Sequence, residues 1–284
     1  MSCGTLYLCA TPIGNLKDIT LRVIETLQFV DLIAAEDTRN SRVLLSHYEI
    51  TTPLTSYHEH NAASKGEELI QRLQDGENIA LITDAGTPAI SDPGERLAAE
   101  CHEAGIPVTS LPGPSAVITA LTLSGMSARR FAFEGFLPRQ SGERNAVLSA
   151  LSAEERTIVL YEAPHRLVRT LKDLCGAVGG ERRIALCREL TKKFEEADRT
   201  TVAAALAAYT EGGREPRGEY VLVLAGRSPE EAAAEQEKRY ASLSVKDHVA
   251  QYEAQGYDRK EAMRLAAKDR NVSRREIYAA LNKE

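Results

Sequence analysis

The 284-residue chain is poor in the features that would settle its class at once. Its five cysteines, Cys3, Cys9, Cys101, Cys175 and Cys187, are odd in number, scattered and nowhere at metal-ligand spacing. They indicate neither a disulfide framework nor a zinc site, and packed thiols are the expectation. No apolar run is long enough to cross a bilayer, and the first residues lack the basic start and apolar centre of a signal peptide; the expected location is the cytoplasm. A positive surplus is missing too, with 35 Lys and Arg against 41 Asp and Glu and a formal charge of -6. That argues against a protein coated in nucleic acid, though not against a local basic patch. With 43% hydrophobic and 27% charged residues, the composition is that of a globular protein of about two domains.

The most informative absence is local. The stretch from Ile79 to Pro93, closed by Gly94, opens with an apolar run of the kind that forms a buried parallel strand and empties into a loop without a single Lys or Arg. Loops at the carboxyl ends of parallel strands are where α/β proteins hold ligands. A phosphate cradle wants basic residues and no carboxylates, whereas this loop carries Asp84 and Asp92. It suits a ligand with a positive charge, an amino group or sugar hydroxyls. Either Asp can equally be a turn residue capping its own backbone. Gly86 lets the backbone approach a ligand closely, and Pro88 and Pro93 fix φ while removing two donors.

Around this stretch the chain alternates strands and helices. Leu6 to Ala10 reads as a buried first strand, followed by a ligand-type loop from Thr11 through Pro12 and Gly14 to Asp18 and a helical pattern at Leu21, Ile24 and Leu27. Asp31 to Ala35 is a second strand, with Glu36, Asp37, Thr38 and Arg39 at its end and Thr38 placed to cap the next helix. Two acids and an arginine at such an edge are candidate chemistry, or simply favour the positive end of that helix. Pro53 to Tyr57 follows as a short strand, then His58 and His60, which read as an exposed loop for want of a third metal ligand, and a helix from Asn61 to Gln74. After the organising strand come a helix from about Glu95 to Ala104 and a strand from Ile106 to Leu111. The spacing predicts an α/β domain with a parallel sheet.

Pro112-Gly113-Pro114-Ser115 breaks the pattern, and a domain boundary is expected there. Beyond it come strands at Phe131 to Phe136, Thr157 to Tyr161, Ile184 to Cys187, Phe194 to Asp198 and Tyr220 to Ala225, with helices around Asn145 to Leu151, Leu167 to Leu174 and Val202 to Tyr209. The closely spaced strands near 184–198 predict antiparallel hairpins in a mixed sheet. The expected organisation is an N-terminal α/β domain over 1–112, a second over 113–226 with a cleft between them, and a linker and helical tail over 227–284. In the second half Glu162 and His165 flank Pro164 as an acid/base pair or as the ordinary start of a helix.

Ser228 to Lys238 is rich in Glu and Ala and reads as a linker or exposed helix, while residues 256–284 hold eight Lys or Arg against five Asp or Glu. Asp258 opens one short helix and the Ser273/Glu276 capping box opens another, with Arg274 and Arg275 at its start. That is the shape of a nucleic-acid-reading unit, and equally of a plain helical hairpin.

Six segments, in order and at natural spacing across residues 5–226, carry a resemblance: YLCATPIGNLKDIT, DLIAAEDTR, LITDAGTPAISDPG, LPGPS, FEGFLP and RELTK. Together they resemble the RNA-modifying branch of the tetrapyrrole methylase fold family. Where classical members carry a G-x-G-x-G-D-P loop after the first strand, this chain reads Thr-Pro-Ile-Gly-Asn-Leu, a departure that fits the RNA branch. The resemblance implies a homodimer of two-domain subunits that binds S-adenosylmethionine in the interdomain cleft. It also implies methylation of the ribose 2′-hydroxyl of a cytidine in the decoding region of 16S ribosomal RNA in the small subunit. A sulfonium with an amino group and no phosphate agrees with the acidic, Lys-free loop. Porphyrinoid methylation and a DNA-binding regulator built on the tail are the competing classes.

The expected cofactor residues are Asp84, Gly86, Thr87, Pro88, Ala89 and Ile90, with Pro12, Ser115 and Ala163 approaching from neighbouring loops. Acid/base and RNA-orienting work is expected of Glu36, Asp37, Arg39, Glu162 and His165, and RNA contact of Arg259, Arg264, Arg270, Arg274 and Arg275 in the tail. No metal is expected.

Overall fold

A computed structural model describes residues 3–231, 240 and 243–282; most of the Glu- and Ala-rich stretch from Ser228 to Lys238 lies outside the described residues. The first half builds a sheet from β1 (Leu6–Cys9), β2 (Leu32–Ala35), β3 (Leu54–Ser56), β4 (Ile79–Ile82) and β5 (Val108–Leu111), in the order β3-β2-β4-β1-β5. All neighbouring pairs are parallel. β2 and β4 are buried along their whole length because helices cover both faces. Alternate side chains serve the two layers. Leu6, Leu8, Ile79 and Leu81 pack with Leu69, Leu73 and Leu97 from α3 (Ala62–Gln74) and α4 (Gly94–Glu103). Cys9, Ile33, Ala80 and Ile82 pack with Val23, Leu27 and Leu45 from α1 (Leu21–Phe29) and α2 (Thr38–His47).

After α5 (Ala116–Ser124), the second sheet is mixed. β6 (Phe131–Phe136), β7 (Thr157–Glu162), β8 (Arg183–Arg188), β9 (Glu196–Thr201) and β10 (Tyr220–Leu224) lie in the order β6-β7-β10-β8-β9, and only β6 and β7 run parallel. One face carries α6 (Ser141–Ala153), α7 (Pro164–Val178) and α8 (Val202–Thr210) over Ile158, Leu160, Leu186 and Leu222. The other face, Val159, Ala185, Cys187, Val221 and Val223, packs on α5 and receives Ile13 from the first half. The edge strand begins at Glu196 instead of Phe194, because the intervening loop presents Phe194 to solvent.

Both sheets belong to one compact unit, residues 1–151 and 157–225; the second unit comprises 152–156 and 226–284. Among the described residues the second unit holds the two short helices expected in the tail, Arg259–Asp269 and Arg274–Leu281, and before them a helix not expected there, Val245–Ala254. The additional helix supplies Val249 to a small core of Ala262, Met263, Ala266, Ala267 and Ile277. Its sequence hides this role because the neighbouring buried position is His248, stacked between Tyr240 and Tyr252. The Ser273/Glu276 capping box is present. Of the cysteines, Cys9, Cys101 and Cys187 are buried, with desolvation pushing the Cys9 and Cys101 thiols up to about 12. Cys3 is exposed and departs from the packed-thiol expectation.

Candidate active site

The loops after β1, β2, β4 and β5 leave the same edge of the first sheet. Two of them are stitched together by an isolated antiparallel bridge, in which Thr11 N donates to Gly86 O at 2.9 Å and Gly86 N donates to Thr11 O at 3.0 Å. The Thr11 hydroxyl adds a bond to Thr83 O at 3.0 Å. Gly86 holds φ at +91°, and a Cβ there would lie 3.3 Å from Ile13; only glycine takes this conformation at no steric cost. Asp92 shapes the far end of the same loop, accepting from Ala89 N, Ile90 N and Gly94 N at 2.7–3.1 Å. This network accommodates Ala89 and Ser91, both at positive φ.

Asp84 ties in the neighbouring loop, accepting from Asp37 N and from the Asn40 amide, both at 3.2 Å. Asp37 is the N-cap of α2, and Thr38 is its first helical residue, so the expected capping role passes one position back along the chain. The Asp37 carboxylate also pairs with Arg39 at 2.7 Å, and the guanidinium and amide of Arg39 hold it well below the usual range, at about 2. An acid spent on capping and pairing is a poor proton acceptor. Glu36 differs. Burial, then the charges of Asp84 and Asp92, raise its carboxyl above the ordinary value.

A cavity of about 630 Å³ opens between this edge and the second sheet. Of the residues expected around a cofactor, Asp84, Gly86, Thr87, Ile90, Ser115 and Ala163 line it, while Pro12, Pro88 and Ala89 lie outside its wall. Of the expected catalytic group Glu36, Glu162 and His165 reach it, and Asp37 and Arg39 do not. The Glu162 carboxylate is committed elsewhere: it accepts from Ala163 N at 2.8 Å and from the Thr170 hydroxyl, and Arg166 stands 3.5 Å away. Thr170 in turn accepts from buried Arg144, which pairs with Asp173 at 2.7 Å. Glu162 is therefore an anchor of the β7–α7 junction.

Sequence reading missed the wall contributed by the second sheet, namely Phe136, Tyr161, Cys187, Leu190, Glu219 and Val221. Phe133 and Phe136 pack against the Tyr161 ring at 5.0 and 5.5 Å between centroids. Phe136 lies in the FEGFLP segment and Leu190 in the RELTK segment, the signals that pointed there. The wall includes Glu36, Asp84, Asp92, Glu162 and Glu219 but neither Lys nor Arg among the described residues. Such a donor set suits a cation or amino group beside an apolar ring system, and it disfavours a phosphate.

The family model for tetrapyrrole (corrin/porphyrin) methylases matches residues 5–206. The chain belongs to the tetrapyrrole methylase family. It is 50% identical over 275 residues to the ribosomal RNA small subunit methyltransferase I of Synechocystis sp., covering 97% of this chain and 96% of that protein. To the protein of the same name in Bacillus subtilis it is 48% identical, covering 98% and 94%. Among solved structures, uroporphyrin-III C-methyltransferase from Thermus thermophilus, in complex with S-adenyl homocysteine, matches with a TM-score of 0.58 at 17% identity, over 78% of this chain and 97% of that one. That likeness is one of fold. In this tetrapyrrole methylase the loop after β1 is Thr-Pro-Ile-Gly-Asn-Leu, and its Thr11 makes the bridge to Gly86. In the second unit Arg259, Arg264, Arg274 and Arg275 are exposed, although Arg264 pairs with Glu261. Arg270 is half-buried and donates to His248 Nδ1 at 3.0 Å and Ser244 O at 3.1 Å. It braces the helices, which sets it apart from the exposed arginines of the tail.

Proposed function

We propose that this chain transfers a methyl group from S-adenosylmethionine to the ribose 2′-hydroxyl of a cytidine in the decoding region of 16S ribosomal RNA. The observation that carries the reading is the acid-walled cavity of about 630 Å³, with neither Lys nor Arg among its described lining residues, in a chain half identical to ribosomal RNA small subunit methyltransferase I along nearly its whole length. S-adenosylmethionine, when bound, supplies a methyl carbon made electrophilic by its sulfonium. Asp84 and Asp92 favour the amino group and positive charge, Gly86 and Thr87 provide close backbone and hydroxyl contact, and Ala163 and Tyr161 bound the ring-binding end. With the cofactor bound, these residues would hold its methyl carbon in line with the ribose 2′-oxygen, and that alignment would supply most of the acceleration.

The acceptor hydroxyl loses its proton in this step. Glu36 is the base in our reading, because its raised pKa and its lack of an ion-pair partner among the described residues match a proton-accepting role better than Asp37 or Glu162. His165, exposed at the start of α7 and on the cavity wall, orients the ribose. Arg259, Arg274 and Arg275 of the tail hold RNA phosphates, and the active form is a homodimer in the cytoplasm. The exposed Leu21, Phe29 and Val43 supply apolar surface for that association.

Mass-spectrometric mapping of ribose methylation in small-subunit RNA from cells lacking the gene tests the reading. One decoding-region cytidine should lose its 2′-O-methyl group and regain it on complementation. Unchanged RNA, with transfer to a porphyrinoid by the purified protein, would move the chain to the other branch of its family.

A further inference from the structure

The segment Glu189–Glu195 between β8 and β9 holds two non-glycine residues at positive φ. Thr191, a β-branched residue, sits at φ +64°, and Glu189 at +50°. Non-glycine residues hold such angles only where their surroundings impose them, and such positions concentrate at binding sites. Here the surroundings are explicit. Thr191 N donates to the Glu195 carboxylate at 2.6 Å, Glu189 N to Glu219 O at 3.0 Å, and Lys192 bonds Glu189 and Glu219 at 3.0 and 2.8 Å.

This held segment separates two cavities. Leu190 lines the first. Thr191 lines a second, of about 400 Å³, with Ile13, Asp18, Gly113, Pro114, Ser115, Ile118 and Thr119. Ile13 and Ser115 belong to both walls, so the second cavity adjoins the first. The buried Thr191 Oγ1 has no hydrogen-bond partner. The wall offers hydroxyls, one carboxylate and apolar Ile13 and Ile118, without a cation among the described residues. That chemistry fits an uncharged ring-and-sugar group and not a phosphate. Three residues beyond Thr191, Phe194 is 65% exposed, with the Lys193 ammonium 5.5 Å from its ring centre. An exposed aromatic beside a cation is a stacking platform for an unpaired base.

We propose that the second cavity receives the nucleoside next to the methylated one in a single-stranded RNA, with Thr191 Oγ1 and Asp18 as its polar contacts and Phe194 stacking on the following base. This inference rests on the RNA-methylation reading above and adds to it where the strand is gripped.

The test uses the full chain, radiolabelled S-adenosylmethionine and small ribosomal subunits from cells lacking the gene. Ile118→Trp fills the cavity from a half-exposed position, Thr191→Val removes the hydroxyl, and Phe194→Ala removes the platform. Each should raise KM for the subunits about tenfold while S-adenosylmethionine affinity by calorimetry stays parental, and Phe194→Tyr should restore KM. Parental KM in both Ile118→Trp and Phe194→Ala, or cofactor affinity falling in step with KM, would overturn the inference alone. A parental protein that transfers nothing to RNA would overturn it together with the reading on which it rests.

Discussion

Thr11 and Gly86 exchange both backbone hydrogen bonds, at 2.9 and 3.0 Å, so the loops after β1 and β4 are bonded to each other. Gly86 is placed so that a side chain would press on Ile13 while straining φ at +91°. Gly86→Val should therefore distort the cavity wall from both sides. Its expected outcome is a folded protein by circular dichroism with S-adenosylmethionine affinity lost by calorimetry. Retained affinity would move the pocket elsewhere.

Glu36→Gln keeps the shape of the side chain and removes the base. Turnover should fall about a hundredfold with cofactor affinity nearly intact. In the parent, turnover should rise with pH through a carboxyl pKa lifted by burial and by Asp84 and Asp92. Asp84→Asn should shift that limb to lower pH. If Glu36→Gln turns over as the parent does, proton removal belongs to His165 or to solvent.

The adjacent acids contribute to stability in opposite directions. Glu36 binds its proton more tightly in the folded protein, so its contribution is present at low pH and lost as pH rises through the raised value. Asp37, lowered from 3.8 to about 2 by Arg39, contributes above the unfolded value and loses that contribution as pH falls toward 2. Asp37→Asn should flatten the acid limb of Tm against pH between roughly 4 and 2. An acid limb of parental steepness would show that the Asp37–Arg39 pair is irrelevant to folding.

Much of this molecule was legible because local rules and tertiary packing agree. The apolar runs at Leu6, Ile79 and Tyr220 are strands, since each is covered on both faces. The Ser273 box caps the helix that it announces. Sequence could not show what packing decides. Glu162 looks like an acid at a ligand loop, but the hydroxyl that commits it, Thr170, lies eight residues on and is oriented by Arg144 from another helix. Cys187, Glu219 and Val221 reach the cavity because β10 pairs with β8, a partner distant in sequence that the hairpin expected near 184–198 did not include. The edge strand Glu196–Thr201 carries almost no apolar signal, and the exposed Phe194 drew the expected start away from it.

The Glu162–Thr170–Arg144–Asp173 chain yields a prediction about folding rather than turnover. Glu162 is 2% exposed and Arg144 equally buried. Removing the carboxylate leaves the Thr170 hydroxyl and Ala163 N without their acceptor and withdraws the charge that faces Arg166. Glu162→Ala should cost about 3 kcal/mol in denaturant unfolding. His165→Ala, at an exposed position, should leave unfolding unchanged and lower turnover. Equal stability of the two variants would make Glu162 a candidate base again.

The tail arginines divide into two classes that a single pair of experiments separates. Arg270 bonds His248 Nδ1 and two backbone carbonyls, Leu243 O and Ser244 O, so it acts inside the helical unit. Arg259, Arg274 and Arg275 are exposed, and the last two stand in the first turn of their helix beyond the Ser273 cap. If these three hold phosphates, their joint replacement by Ala should weaken RNA binding and reduce the salt slope by about one unit for each phosphate no longer neutralised, with unchanged melting. Arg270→Ala should instead lower the melting temperature of the tail, because it leaves buried His248 without the donor to Nδ1. Calorimetry with S-adenosylmethionine should be indifferent to both sets. RNA affinity and salt slope at parental values in the triple variant would make the tail a structural module, and the phosphate grip would then have to come from the α/β unit, where Lys17, Lys193 and Arg139 are the exposed cations to test next.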